Sequence, residues 1–214
     1  MRFGVDEAGK GPVLGSMFAA AVRADHEVLP DGVDDSKNLA PARREELAAR
    51  LRADDRITVG VAEIPPARID DPETDMNTLT VAAHAEALDA AAADGDTGHV
   101  DAGDTDAERF GRRVAGRTGV DVTVTAEHGA DEAHALVGAA SIVAKVERDA
   151  HVAEMAAGLD GYDPGSGYPS DPTTRAFLRA YVADHGDLPA CARRSWGTSE
   201  DVLAAAAQSS LAEF

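Results

Sequence analysis

Apolar and polar positions along this chain alternate in two rhythms, one of strands and one of helices. Residues 2–7 read as a strand that runs out of apolar residues and ends on two adjacent acids, Asp6 and Glu7. The stretch from Val13 to Val22 contains Met17-Phe18-Ala19-Ala20-Ala21-Val22, which reads as a second, buried strand in preference to a short helix, and a hairpin is the simple connection between the two. Asp34-Asp35-Ser36-Lys37-Asn38 is a polar turn. Pro41 then suits the first position of a helix reaching about Arg52, with Leu47 and Leu51 on one face. Ile57 to Ala62 alternates as a third strand, and Pro65-Pro66 breaks the chain.

The second half repeats a helix–strand rhythm. Asn77 to Ala93 is an alanine- and leucine-rich helix, Gly98 to Asp101 a short strand ending on an acid, 106–117 an amphipathic helix, and Val120 to Val124 a fifth strand. This alternation implies parallel pairing through right-handed crossovers. Asp131 opens a long helix through Val146, apolar on nearly every side in its first half and therefore buried. Gly161 to Tyr168 is a loop. Asp171-Pro172 reads as a cap and first helical position, followed by a buried stripe of Phe177, Leu178, Tyr181 and Val182. Beyond Pro189 lie Arg193, Arg194 and Trp196, then a last alanine-rich helix.

Composition narrows the picture. The chain has 214 residues and one cysteine, Cys191, so neither an intrachain disulfide nor a thiolate metal cage is available. No run of about 18 apolar residues is present and no signal peptide opens the chain, so a cytoplasmic protein is expected. The formal charge is −19, with 20 Lys+Arg against 39 Asp+Glu. Nucleic-acid binders usually carry a basic stripe. Here the acid is spread over every segment and only three lysines remain, Lys10, Lys37 and Lys145. That pattern resembles a surface adapted to a high-salt cytoplasm, in which the acids solvate the protein.

The candidate chemistry sits where strands end. Functional residues of open α/β sheets gather at the carboxyl ends of strands, where this chain places Asp6 with Glu7, Asp101 and, just after the fifth strand, Asp131. Asp131 is equally a favoured helix cap. Carboxylates without a His or Cys cluster suit a hard cation, Mg²⁺ or Mn²⁺, and four of them suit two ions sharing a bridging ligand. Gly9 and Gly11 flank Lys10 and let the backbone approach a ligand closely.

Asp-Glu-Ala-Gly-Lys-Gly at 6–11, Asp-Ser-Lys at 35–37, Asp101 after a strand, Ala-Asp-Glu at 130–132, Ala-Ala-Ser-Ile-Val-Ala-Lys at 139–145 and Gly-Ser-Gly-Tyr at 165–168 occur in this order. The series resembles archaeal ribonuclease HII over nearly the whole chain. The resemblance implies a ribonuclease H-like fold: a mixed five-stranded sheet, three antiparallel strands then two parallel, flanked by helices, with a helical C-terminal part. The corresponding division is a catalytic core at 1–150, a substrate-binding part at 151–206 and a tail at 207–214. The implied activity is endonucleolytic cutting of the RNA strand of RNA–DNA hybrids, and of single ribonucleotides in DNA, on the 5′ side, leaving 3′-hydroxyl and 5′-phosphate ends. It makes Asp6, Glu7, Asp101 and Asp131 the metal ligands, with Asp6 bridging two Mn²⁺ or Mg²⁺ ions. Gly9, Lys10 and Gly11 would approach the 2′-hydroxyl and its phosphate, and Tyr168 would sense the RNA-to-DNA junction. Lys37, Asn77, Ser141 and Lys145 carry over as phosphate-binding or site-supporting residues, though each is equally a cap or a solvated charge. Arg193 and Arg194 would touch backbone phosphate. Gln208, Leu211 and Phe214 resemble a sliding-clamp-binding tail. A monomer is expected. The alternatives are a phosphotransferase or ATPase of the related fold, and a clamp-tethered nucleic-acid-binding protein without catalysis.

Overall fold

A computed structural model of the chain describes residues 1–33 and 39–211, the last three as backbone. The polar turn at 34–38, with Lys37, and the terminal Phe214 lie outside the described residues. The chain divides into two units. The first comprises Met1–Lys10, Met17–Glu63 and Asp75–Arg148, and the second Gly11–Ser16, Ile64–Thr74 and Asp149–Phe214.

The first unit holds one five-stranded sheet: β1 (Arg2–Ala8), β2 (Met17–Ala24), β3 (Thr58–Ile64), β4 (Thr97–Asp101) and β5 (Thr123–Glu127), in the order β3-β2-β1-β4-β5. β1 runs antiparallel to β2 and parallel to β4, and β4 is parallel to β5. Burial follows position in the sheet. β2, inside, is buried at nearly every residue, whereas the edge strands β3 and β5 alternate. A period-2 pattern is what a strand with one solvated face requires.

Helices α1 (Pro41–Ala53), α3 (Met76–Ala91), α4 (Ala107–Ala115), the four-residue α5 (Ala130–Ala133) and most of α6 (Ala135–Ala157) belong to this unit. Glycine lets two of them lie unusually close to the sheet. A Cβ on Gly4 of β1 would stand 2.2 Å from the Leu136 backbone of α6, and one on Gly60 of β3 would stand 2.3 Å from the Ala87 carbonyl of α3. One core joins β2, α1 and α6 through Val22, Leu47, Leu51, Leu136, Ile142 and Val143.

In the second unit, α7 (Pro172–His185) and α8 (Gly197–Leu211) pack around Phe177, Leu178, Val182 and Val202, together with Val13 and Leu14. The short α2 (Pro66–Ile69) begins at the Pro65-Pro66 break. Asp171 caps α7 as expected, accepting from the Thr173 amide at 2.9 Å.

Two expectations shift, and the stretch ahead of the second strand finds partners of its own. The apolar stretch from Val13 does not enter the ladder before Met17. Its backbone pairs elsewhere: Val13 N donates to Gly167 O and Gly15 N to Cys191 O, both at 2.8 Å. The fifth strand begins at Thr123 rather than Val120, because pairing starts where Thr97 opens β4. Asp131 does not cap the long helix. It lies inside α5, whose cap is Gly129 at φ 69°, and the helical stretch breaks at His134 before α6 begins.

Candidate active site

The site is built at the carboxyl ends of parallel strands. Asp6 and Glu7 stand near the end of β1 and Asp101 closes β4, while Asp131 comes from α5. Because successive strand residues point to opposite faces, Asp6 and Glu7 find different partners.

Asp6 turns toward α6. It is 7% exposed, and its carboxylate accepts from the buried Ser141 hydroxyl and from the Glu7 amide at 2.7 Å. Ser141 in turn receives Lys145 Nζ at 2.7 Å, one helical turn later. The close passage of α6 over Gly4 brings Ser141 within reach of β1. Burial, and then the negative charges of Glu7 and Asp101, raise the Asp6 carboxyl well above the usual carboxylate range, against the pull of the Ser141 hydrogen bond.

Glu7 turns toward α3. His84 Nε2 lies 2.8 Å from Glu7 Oε2, and the His84 ring stands edge-on to Phe110 with centroids 5.1 Å apart. His84 is fully buried and its Nδ1 has no hydrogen-bond partner. Burial works to raise the Glu7 carboxyl. The His84 hydrogen bond and charge, with Lys10, outweigh it and hold Glu7 below its ordinary value. Lys10 Nζ donates to the Gly103 carbonyl just beyond β4. A Cβ on Gly103 would come within 3.2 Å of Glu7 Oε1 and 2.6 Å of Thr80, so only glycine lets this loop close over the glutamate.

Asp101 Oδ1 accepts from the Ala130 amide at 2.8 Å, which ties β4 to α5. Its carboxyl is raised by burial, and further by Glu7 and Asp131. Asp131 itself is 6% exposed.

Four carboxylates from β1, β4 and α5 thus share one electrostatic neighbourhood, each within interaction range of at least one other by the charges that act on Asp6 and Asp101. Oxygen-only donors in a buried, mutually repelling group fit hard divalent cations. Among the described residues, no three of these acids bring ligating oxygens within 4.8 Å of one another.

The other sequence candidates are distributed as follows. Gly9 sits at φ 84°, a conformation that favours glycine. In the second unit, Gly11 faces Tyr168, whose Cε1 would lie 3.6 Å from a Cβ there, and Trp196 Nε1 donates to Gly11 O at 3.4 Å. Tyr168 is 41% exposed. Asn77 is exposed in the first turn of α3, its amide on Asp75 Oδ1 at 2.9 Å. Arg193 departs from its expected place. It is fully buried, with Nε on Gly15 O at 2.9 Å and its guanidinium 5.0 Å from the Trp196 ring, so it braces the fold instead of facing a phosphate. Arg194 is exposed and paired with Asp187 at 2.6 Å. Gln208 is exposed on α8, where Leu211 is the last residue. His84 and Gly103 were not among the sequence candidates. Neither belongs to a recognisable run of site residues, and only the fold brings them to Glu7.

A family model described as ribonuclease HII matches residues 3–199. The chain is 69% identical to a ribonuclease HII of Haloarcula marismortui, with all of both chains covered. It is 68% identical to one of Halobacterium salinarum, covering all of this chain and 99% of that one. Among solved structures, a ribonuclease H2 from Pyrococcus horikoshii superposes with a TM-score of 0.88 at 34% identity, covering 97% of this chain and 99% of that one. The ribonuclease HII of a PCNA complex from Archaeoglobus fulgidus superposes at 0.79 and 36%, covering 94% and 96%.

Proposed function

The chain belongs to the ribonuclease HII family, and we infer from that membership and from its gathered carboxylates that it is an endoribonuclease of RNA–DNA hybrids. It is a hydrolase, and the phosphotransferase, ATPase and non-catalytic alternatives fall away with the family assignment. The observation that carries the mechanism is the convergence of Asp6, Glu7, Asp101 and Asp131 from β1, β4 and α5.

These four residues would hold two Mg²⁺ or Mn²⁺ ions. When bound, such ions activate water and stabilise the leaving oxygen of a phosphodiester. The chain's own residues do the remaining work. Ser141 and Lys145 form a relay that fixes the Asp6 carboxylate from the α6 side. His84 and Lys10 fix Glu7 from the opposite face of the sheet, and the Ala130 amide fixes Asp101. Ser141, being buried, acts through Asp6 and not on the substrate directly.

Substrate recognition rests on Gly9, Lys10 and Gly11, whose backbone approaches the 2′-hydroxyl and adjoining phosphate, and on Tyr168 at the RNA-to-DNA junction. The 2′-hydroxyl is the group that separates RNA from DNA. Cleavage then falls 5′ of the ribonucleotide and leaves 3′-hydroxyl and 5′-phosphate ends. Arg194 is the exposed member of its pair and the one assigned to phosphate; Lys37 and Asn77 are further contacts. Residues 1–150 carry the chemistry and 151–206 substrate contacts. The tail from Gln208 through Leu211 and Phe214 is assigned to a sliding clamp, a reading supported by the PCNA complex of the A. fulgidus relative. Among the described residues no helix is long and apolar enough to cross a membrane, and a cytoplasmic monomer is the setting proposed.

The test is cleavage of a labelled DNA duplex carrying one ribonucleotide, in molar KCl with Mn²⁺ or Mg²⁺. A metal-dependent cut 5′ of the ribonucleotide, lost in Asp101→Asn, supports the mechanism. A folded wild-type protein that cuts with neither metal refutes it.

A further inference from the structure

A second cluster of ligating side chains lies on the sheet face that also carries Asp6 and Asp101. His99 stands opposite Thr125 and Asp101 opposite Glu127 in the β4–β5 ladder. His99 and Glu127 are therefore diagonal neighbours on one face. His134, in the break between α5 and α6, lays its ring on His99, with centroids 3.7 Å apart and planes 12° from parallel. Both imidazoles turn Nε2 toward the same carboxylate: His134 is 3.1 Å from Glu127 Oε2 and His99 3.8 Å from Glu127 Oε1. One ligating atom from each residue lies within 4.8 Å of the others, and no other such trio occurs among the described residues. A cavity of about 350 Å³ opens beside it, lined by His99, His134, Thr125, Thr97 and Arg2.

We propose that His99, Glu127 and His134 form a binding site for a first-row transition-metal ion of the Zn²⁺ type, separate from the carboxylate site. Donor chemistry separates the two. Imidazole suits Zn²⁺, Cu²⁺ and Ni²⁺, whereas carboxylates alone suit Mg²⁺ and Mn²⁺. The spacing also fits. Zinc ligands lie at about 2.0–2.2 Å, so two ligands of a tetrahedral ion stand about 3.4 Å apart. Each imidazole already stands near that distance from one Glu127 oxygen, His134 at 3.1 Å from Oε2 and His99 at 3.8 Å from Oε1. The adjoining cavity leaves room for water as a fourth ligand. An ion there would tie β4, β5 and the α5–α6 junction together, the segments that bear Asp101 and Asp131.

Co²⁺ serves as the probe, because nitrogen ligation in low coordination gives it strong visible bands. The full-length protein is titrated with Co²⁺ in molar KCl and excess Mg²⁺, and Zn²⁺ binding is followed by calorimetry. One equivalent with visible bands, unaffected by Asp101→Asn, is expected. His99→Asn and His134→Asn should each abolish the bands and weaken Zn²⁺ by more than about tenfold, the loss that disturbing even an outer partner of a ligand causes. Glu127→Gln provides a third variant should a histidine change unfold the chain, which circular dichroism reports. Bands that persist in the folded variants, or that vanish in Asp101→Asn, overturn the proposal. Wild-type protein without the bands overturns it too. Because cleavage is not measured, the outcome is independent of the ribonuclease mechanism.

Discussion

His84 offers the sharpest test of how the active site is held. Its Nε2 lies 2.8 Å from Glu7 Oε2, and a hydrogen bond to a charged group contributes about 1.5–3 kcal/mol. At about 1.4 kcal/mol per tenfold, that is roughly 10- to 150-fold in an equilibrium constant. Loss of an outer partner typically costs a metal site about 10- to 100-fold, which agrees. His84→Phe keeps the ring volume and the edge contact with Phe110 but removes the donor. Burial then acts on Glu7 without its main opposing partner, and the carboxyl rises. Protons compete better for Glu7, and its orientation is no longer fixed. The Mn²⁺ concentration giving half-maximal cleavage should increase about 10- to 100-fold, while the rate at saturating Mn²⁺ changes much less. His84→Gln, which retains a donor, should fall between wild type and phenylalanine. The shift in melting temperature on adding Mn²⁺ should shrink in parallel, giving a readout without turnover. A folded His84→Phe enzyme whose Mn²⁺ requirement stays within twofold of wild type would refute the reasoning and make His84 a packing residue.

Other expectations follow from the same geometry. Asp96 is 3% exposed and accepts from Arg23 at 2.6 Å, the N-terminal amine at 2.7 Å and the Ala93 amide at 2.8 Å. Burial pushes its carboxyl up, but these partners hold it well below the usual range. A depressed carboxyl stabilises the fold fully above its unfolded value of about 3.9 and loses that contribution as pH falls below it. Asp96→Ala should therefore cost about 2 kcal/mol at neutral pH, less than a fully buried pair because Arg23 stays partly exposed. The cost should shrink in acid, as urea unfolding at pH 7 and pH 3 would show. Burial pushes the Cys191 thiol up to about 11. At pH 8 the folded protein should react with a disulfide reagent roughly 200-fold more slowly than the unfolded chain, whose thiol titrates near 8.5. Equal rates would contradict that burial. With an overall charge of −19, binding of an RNA–DNA hybrid should fall only gently with KCl. A log–log slope steeper than about −3, meaning more than about three phosphate contacts, would show that bulk charge dominates.

What the sequence made legible follows from the range of each signal. The strand from Arg2, the helix from Pro41, the Asp171-Pro172 start of α7 and the acid closing β4 depend on local pattern and capping, and all stand close to their expected places. The strand from Met17 stands where it was expected, but the stretch ahead of it hid its partners, because apolar content carries no information about them. Its amides bond to Gly167 and Cys191, far away in the chain. Arg193 shows the same limit. Next to Arg194 it reads as a basic patch, yet Gly15 and Trp196 bury it. Among the four acids, position at strand ends was readable. Of their supports, Ser141 came with the resemblance, whereas His84 and Ala130 did not, since 77 residues separate His84 from Glu7 and 29 separate Ala130 from Asp101.

The placement of Asp6 and Glu7 explains why the acidic pair needs so much of the sheet around it. Adjacent strand residues diverge, so no single helix can hold both side chains. The chain holds one carboxylate from each face, Asp6 through Ser141 and Lys145 of α6, Glu7 through His84 of α3. Each hold requires a close approach that glycine permits, with Gly4 under α6 and Gly103 against Thr80 and Glu7. Alanine at either glycine would meet atoms at 2.2 Å or 2.6 Å, and the backbone at Gly4 has no flexible neighbour to yield. Overpacking of this kind costs about 1–3 kcal/mol. Gly4→Ala should therefore displace α6 from β1 and disturb Asp6 more than Glu7. An activity loss larger than the stability loss, with the Mn²⁺ requirement raised, is the expected result. Unchanged metal dependence in a destabilised but folded Gly4→Ala protein would show that α6 can shift without carrying Ser141 away from Asp6.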